Sequence, residues 1–433
     1  YDDIDKTNPA LGSASVIATA AMEAGSDPVS ITTGAWGAGT FYPQLEHGRA
    51  GWTSGFSDMS LTGAVTLSGI SGAEALQTTW SEASGDGTFI DFDDDTMLVQ
   101  DTGTPAHDYS GSAMSKVICI RAGVATYIDQ SSGIAAASAN VARRTYDAAS
   151  GLHRLLVEPS RTNLFLNSLI DGTNLSTQSV TVTAALHTIS FYGDGSITLS
   201  GAHSATVNGS GAFPTRTSLE FTPSAGSLTC TVSGNVKWAQ IELGGKATSF
   251  IPTAGSAVTR NADCLYLDGT VLPFSATINS FAQEFVPDIP TSGAVYLNLL
   301  QSYVSFTQIS ARLQASGTSD PWSTVLIGTG QSPGLNSTGH ANKTSRSEHV
   351  MAACRLQANS SVIAQRGEAT VQSDTSCGVT SSLSAILLGS TVTGGSFSSP
   401  TAANFASHMN GFIDSLVLIP ASVSDANLIS RVA

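Results

Sequence analysis

The densest group of side chains able to do chemistry is FIDFDDDT, where Asp91, Asp93, Asp94 and Asp95 offer the hard carboxylate oxygens that bind Ca²⁺. The string lacks the glycine and the closing glutamate that an EF-hand loop places at fixed positions. Strand alternation also puts Asp91, Asp93 and Asp95 on one face, so a solvated strand face is the preferred reading. Glycan hydrolysis needs two carboxyls about 5 to 10 Å apart across a groove. Glu284 and Asp288 are acids of that kind, and nothing around them singles them out. No GxSxG stands at a strand-to-helix elbow, and the eight histidines are scattered, none in an HExxH cluster. The five cysteines, Cys119, Cys230, Cys264, Cys354 and Cys377, are odd in number and without CxxC spacing, so they read as small buried thiols in strands. No catalytic residue, metal ligand or cofactor is assigned, and the expectation is a binding protein rather than an enzyme.

Recognition of a sugar asks for an aromatic platform with polar neighbours. Trp322 in SGTSDPWST, His340 in the polar NSTGHANKTSRSEH and Tyr303 on a strand are the candidates, with ordinary packing or surface exposure as the competing reading for each. A second aromatic group, Trp36, Phe41, Tyr42 and Trp52, sits among glycines near the start of the chain. Such residues suit either a protein interface or the core of a small β-domain.

The elements that must position these residues follow from composition. Charged residues make up 12% of the 433 positions, about half the usual ~25%. Abundant Ser, Thr, Gly and Val with so few charges favours strands, and the expected fold is all-β. A formal net charge of -15 repels nucleic acid and anionic membrane surfaces, so neither is an expected partner. No apolar run approaches the roughly 18 residues that span a bilayer, which points to a soluble chain. The first residue is Tyr1 rather than Met, so an upstream segment is expected.

Three consecutive units are expected: 1–114, β-rich; 115–263, a β-sandwich; and 264–433, a jelly roll. In the first, TFIDF and TMLVQ alternate as half-buried strands. In the second, HTISFYGDGSITLSG reads as a hairpin about Gly-Asp-Gly. Also in this unit, WAQIEL places Ala239, Ile241 and Leu243 toward a core and Trp238, Gln240 and Glu242 away from it. Gly244 and Gly245 then permit a turn, TSFIPT runs on extended to Pro252, and SAVTRNAD reads as an ordered exit, so that 238–263 is architecture. In the third, FSATINSFAQEFVPDI and VYLNLLQSYVSFTQISARLQA read as a meander, and HVMAACRLQANSSVIAQRGEATV as a hairpin. A strand from Gly411 to Ile419 precedes Ser424, the N-cap expected for a short helix in DANLISRV.

Four stretches carry a family resemblance: ATYIDQSSG at 125–133, LLVEPSRTNLFLNS at 155–168, ISFYGDGSITLSGAHSATVNGSG at 189–211, and LEFTPSAGSLTCTVSGNVKWAQIELGGKATSFIPTAGSAVTRNAD at 219–263. In that order they resemble a module of tailed-bacteriophage virion proteins, the tail-fibre or head-spike type. The ending MNGFIDSLVLIPASVSDANLI resembles the final strand and helix of laminin-G-like or concanavalin A-like domains, without a carboxylate pair to carry over a calcium site. The resemblance implies a virion-surface protein, a homo-oligomer and most simply a trimer, attached to other virion proteins through the N-terminal region. It implies a host cell-surface polysaccharide as partner. The alternatives it leaves open are a purely structural capsid decoration or tail protein, and a glycan depolymerase.

Overall fold

The structure is a computed structural model that divides into two units, 1–71 and 72–433. It describes Ala73, 86–101 and 108–432, apart from 131–132, 148–149, 169–174, 288–294, 305–306, 316–322, 328–334, 339–349, 358–359, 366–369, 375–384, 393–399 and 407; for the strands of 295–338 it gives the backbone alone. Among these residues the chain is predominantly antiparallel β-structure, as its composition predicts.

Period-two alternation sorts side chains to the two faces of each strand, and two large sheets use it. A ten-stranded sheet runs in the order Gln372–Asp374, Ser361–Gln365, Val350–Gln357, Ile278–Pro287, Gly411–Ile419, Gly87–Asp91, Thr96–Gln100, Tyr109–Ser112, with Leu152–Val157 and Arg143–Asp147 joined at its side. A seven-stranded sheet contains Ile118–Ile120, Cys264–Asp268, Ala385–Leu388 and the strands of 295–338. Ile90, Met97, Phe281, Leu416 and Leu418 of the first sheet meet Cys119, Leu265, Leu267, Ile386 and Leu388 of the second in one buried core. The opposite face of the ten-stranded sheet carries Phe89, Leu98, Ala353 and Val417. It is covered by the helix Asp425–Val432 through Leu428 and Val432, both fully buried. Ser424 caps that helix as expected, its hydroxyl accepting from the Asn427 amide at 3.3 Å.

Strand pairing does not follow cuts at 114/115 and 263/264. Thr88 faces Leu418 and Ile118 faces Tyr266, so the large sandwich draws on residues before, within and after the expected middle unit. The self-contained part is shorter. Arg161–Asn163 and Val258–Arg260 pair as a two-stranded stem, and between them a smaller sandwich is inserted. Its four-stranded sheet is Gln178–Val182, Gly226–Ser233, Ser196–Gly201, Ala205–Asn208, and its three-stranded sheet is Gly211–Phe221, His187–Gly193, Lys237–Leu243. Ile189, Phe191, Ala239 and Ile241 from one and Val180, Ile197, Leu199 and Leu228 from the other form its core.

Several local expectations change with this pairing. The stretch around Gly-Asp-Gly at 193–195 is no hairpin: the strands on either side enter opposite sheets, and the chain crosses over the core as an arch. Both strands alternate toward the same core, so pairing them with each other would leave one apolar face uncovered. The Ile278–Pro287 strand belongs to the ten-stranded sheet, while Val295–Val304 and Thr307–Ala315 pair in the other. The hairpin of Val350–Gln357 with Ser361–Gln365 is as expected. In FIDFDDDT the strand ends at Asp91, and the next four residues turn. Asp91 accepts the amides of Asp93 and Asp94, and Asp95 takes the left-handed backbone (φ 55°), so the four acids share no strand face.

Candidate functional site

Of the residues nominated as sugar or attachment contacts, Tyr303 alone lies among the described residues. Tyr303 lies on the Val295–Val304 strand opposite Gln308, while Trp322, His340, Trp36, Phe41, Tyr42 and Trp52 fall outside the described residues. Two other constellations do form, and both lie where the inserted sandwich joins the rest.

The first is a buried ion lattice at the neck. Asp263 and Glu158 are cross-linked through the backbone: the Asp263 amide donates to the Glu158 carbonyl at 2.9 Å and the Glu158 amide to Asp263 Oδ2 at 3.0 Å. Onto this pair converge Arg121, 2.7 Å from Asp263, Arg143, 2.7 Å from Glu158 and also bonded to Asp263, and Arg260, 3.3 Å from Glu158. All five are at most 3% exposed. Further donors bond backbone carbonyls, Arg121 those of Ser138 and Val141, Arg143 that of Thr126 and Arg260 that of Pro159. Burial raises the Glu158 pKa, but Arg260, Arg143 and the hydroxyl and amide of Ser249 outweigh it and hold the carboxyl down to about 2. The lattice is a lock: three guanidinium groups share two carboxylates and the surrounding backbone carbonyls, all buried, with no face open to a ligand.

The second constellation is the outer face of the three-stranded sheet. Residues 244–251 fold back over it and are fixed by side chains: Thr188 donates to the Gly244 carbonyl, Gln240 bonds the Thr248 carbonyl and the Ile251 amide, and Glu242 accepts from Thr248. Gln240 and Glu242 are therefore fully buried, although they point away from the sandwich core, and Leu243, expected in that core, is 52% exposed at the strand end. TSFIPT joins no ladder; these bonds and the Ser249 contacts to Glu158 hold it instead.

Beside this cover three aromatic rings meet. Tyr192 and Phe213 have centroids 5.2 Å apart, Tyr192 and Trp238 5.7 Å, Phe213 and Trp238 5.5 Å, the two Trp238 contacts edge-to-face. Tyr192 is buried, whereas Phe213 and Trp238 are partly exposed. Arg216 lies 5.5 Å from the Tyr192 ring, pinned by its bonds to Ser190 Oγ and the Thr248 carbonyl. Lys237 Nζ lies 6.0 Å from the Trp238 ring. Trp238 has φ 50° and occupies a bulge where the register with the 187–193 strand shifts. A bulky residue in the left-handed region is uncommon, and a bulge re-aims the side chain it carries. The three aromatics leave a crossing of backbones packed without side chains. A Cβ on Gly193 would fall on the Asn235 carbonyl oxygen, and one on Gly209 on the Gly193 carbonyl oxygen. Across that crossing the Gly195 amide donates to Asn235 at 2.9 Å and Gly209 to Gly195 at 2.7 Å.

Cys264 Sγ stands 3.4 Å from His408 Nε2, the one thiol and imidazole contact among the described residues. Burial pushes that thiol up to about 12, opposite to what a nucleophile needs. Among the described residues no three His, Cys, Asp or Glu side chains gather as a metal set. The chain matches no protein-family model and no curated protein.

The sequence reading missed both constellations. The lattice had a signal: in a chain with 12% charged residues, Arg143, Glu158, Arg260 and Asp263 stand in VARRTYD, LLVEPSR and VTRNAD, among apolar and small neighbours. For the trio the signal was an aromatic within a few residues of a glycine in YG, GAF and SGNVKW.

Proposed function

We propose that the protein is a bacteriophage virion surface protein, a tail fibre or a head spike or fibre, that displays a host-binding, glycan-recognising surface and acts by binding rather than turnover. The supporting observation is the use to which the four resembling stretches are put. Thr126, Glu158, Ser249 and Asp263 come from three of them and meet at one neck. Residues of the third and fourth meet at the glycine crossing that carries the aromatic trio. A rigid sandwich, presented on a locked stem with partly exposed aromatics, suits adhesion, since ring faces accept the C–H faces of sugars while hydroxyls take directional bonds. Several copies in a homo-oligomer, most simply a trimer bound to other virion proteins, would raise weak saccharide contacts to useful avidity.

A purely structural decoration is the second reading. It is favoured by the complete burial of the Glu158, Arg260 and Asp263 lattice, which supplies architecture and no ligand contact. Whole-cell binding separates the two. Fluorescent full-length protein is titrated onto permissive bacteria with and without periodate oxidation of their surface sugars. Saturable binding abolished by periodate is the expected result; binding to phage particles but to no cells would leave decoration as the better account.

A further inference from the structure

Resting on the adhesin reading above, we infer that the Tyr192, Phe213 and Trp238 trio is the saccharide site and that its ligand is a sugar residue bearing a carboxylate. Ring geometry supports a pyranose contact. Phe213 and Trp238 are the two partly exposed members, and their planes meet at 76°, so together they form a corner rather than a flat stack. A pyranose seats its C–H face on one such ring while its edge meets the other. The corner is preformed: Trp238 is held in the left-handed region by the bulge, Tyr192 is buried beneath it, and the glycine crossing leaves no side chain to shift. A site built this way loses little freedom on binding.

The charge class follows from Lys237 and Arg216. Lys237 adjoins Trp238 in sequence and its ammonium lies 6.0 Å from the indole. Among the described residues Lys237 makes no ion pair, unlike Lys246, which is 3.2 Å from Glu220. Arg216 is a positioning residue, committed to Ser190 and Thr248, and adds fixed positive charge under Tyr192. In a chain of net charge -15 a local pair of cations at an aromatic corner complements an anion that the rest of the surface repels. A carboxylate on the sugar ring meets that requirement, and a neutral hexose leaves Lys237 unused.

The test titrates full-length protein by calorimetry with three acidic probes, a galacturonate trimer, a glucuronate disaccharide and sialyllactose, against methyl-esterified galacturonate trimer and lactose. The expected result is binding of at least one acidic probe with an affinity about 10-fold or more above its neutral counterpart. Lys237→Gln removes that difference, and Trp238→Ala abolishes binding. Trp238→Phe, which keeps a ring, retains part of the affinity and serves if the alanine variant unfolds. Three outcomes overturn the inference: no acidic probe bound at about 10 mM, equal affinity for acid and ester, or acidic binding unchanged in Lys237→Gln. The adhesin reading is judged separately, by the cell assay. Periodate-sensitive cell binding that persists in Trp238→Ala sinks this site and leaves the adhesin standing, whereas wild-type protein that binds no cells sinks the adhesin itself.

Discussion

The two sandwiches are made of opposite kinds of chain. The inserted one is local: all its core residues fall between Phe165 and Ile241, and its sheets close without help from elsewhere. The large one is assembled across the whole described length, with Gly87–Asp91 paired to Gly411–Ile419 and Ile118–Ile120 paired to Cys264–Asp268. The difference explains where the charges are. A contiguous insert leaves and returns to its host at one place, and there the backbones of 158 and 263 are tied directly together. Apolar packing is non-directional, so it would set the distance between the two bodies but not their angle. A lattice of three guanidinium groups and two carboxylates sets both, because each Arg fork accepts only a narrow range of geometries.

The largest effect is expected from breaking that lattice. Asp263→Ala leaves Arg121 and Arg143 buried with too few acceptors, and the cost should be about 3–5 kcal/mol. If the neck couples the two sandwiches, urea unfolding of the variant splits one transition into two; a loss under about 1 kcal/mol with a single transition would show that the coupling lies elsewhere. Next in size is Leu428→Ala, which uncovers the outer face of the ten-stranded sheet. Leu428 is fully buried, and about 2–5 kcal/mol should be lost from the large sandwich alone. Hydrogen exchange that rises more in 411–419 than in 187–193 would locate the loss in the large sandwich. Smaller again is Gly209→Ala, whose Cβ meets the Gly193 carbonyl, a backbone atom that can move only by shifting the arch. A cost of about 1–3 kcal/mol is expected, read as faster exchange at the Gly195 and Gly209 amides with the large sandwich unchanged.

The same contrast decides what could be read from the sequence. The class of fold and several local pieces were legible: the Val350–Gln365 hairpin, the Ser424 cap and the inward set Ala239 and Ile241 each depend on near neighbours in the chain. The pairing of 88 with 418 was not, because alternation tells a strand which face to bury and not which strand lies beside it. Gly-Asp-Gly at 193–195 is ambiguous for a related reason. Glycines that permit a tight hairpin also permit a close crossing between sheets, and only the shared core of Phe191 and Ile197 decides between them. Trp238, Gln240 and Glu242 were correctly set apart from the core face, but the burial of Gln240 and Glu242 depends on the 244–251 cover, which no periodicity announces. The nominated Trp322, His340 and Tyr303 followed side-chain type and polar sequence surroundings, whereas the trio of Tyr192, Phe213 and Trp238 depends on three strands meeting.

Acid distinguishes the two regions most finely, because each holds a carboxyl displaced in the opposite direction. Glu158, at the neck, is held down to about 2 in the fold. Its folded pKa lies below the ordinary one near 4.5, so its contribution is complete above that pH and is lost as pH falls toward 2. Asp91, at the tip of the large sandwich, is pushed up to about 6 by burial, against the pull of the Asp93 and Asp94 amides. For Asp91 the ionised form is the strained one: it costs stability above pH 6, and the cost disappears as pH falls toward the ordinary value of 3.8. Mild acid should therefore relieve the large sandwich before stronger acid loosens the neck. Asp91→Asn isolates the first step, since an amide oxygen can still accept both backbone N–H groups while carrying no charge. At pH 7 the variant should be more stable by on the order of 1 kcal/mol, and the gain should vanish near pH 4. Urea midpoints of wild type and variant at pH 7, 5.5 and 4 decide it. A gain that is constant over that range would assign the effect to packing rather than to the charge, and a loss at pH 7 would mean that the ionised carboxylate holds the turn.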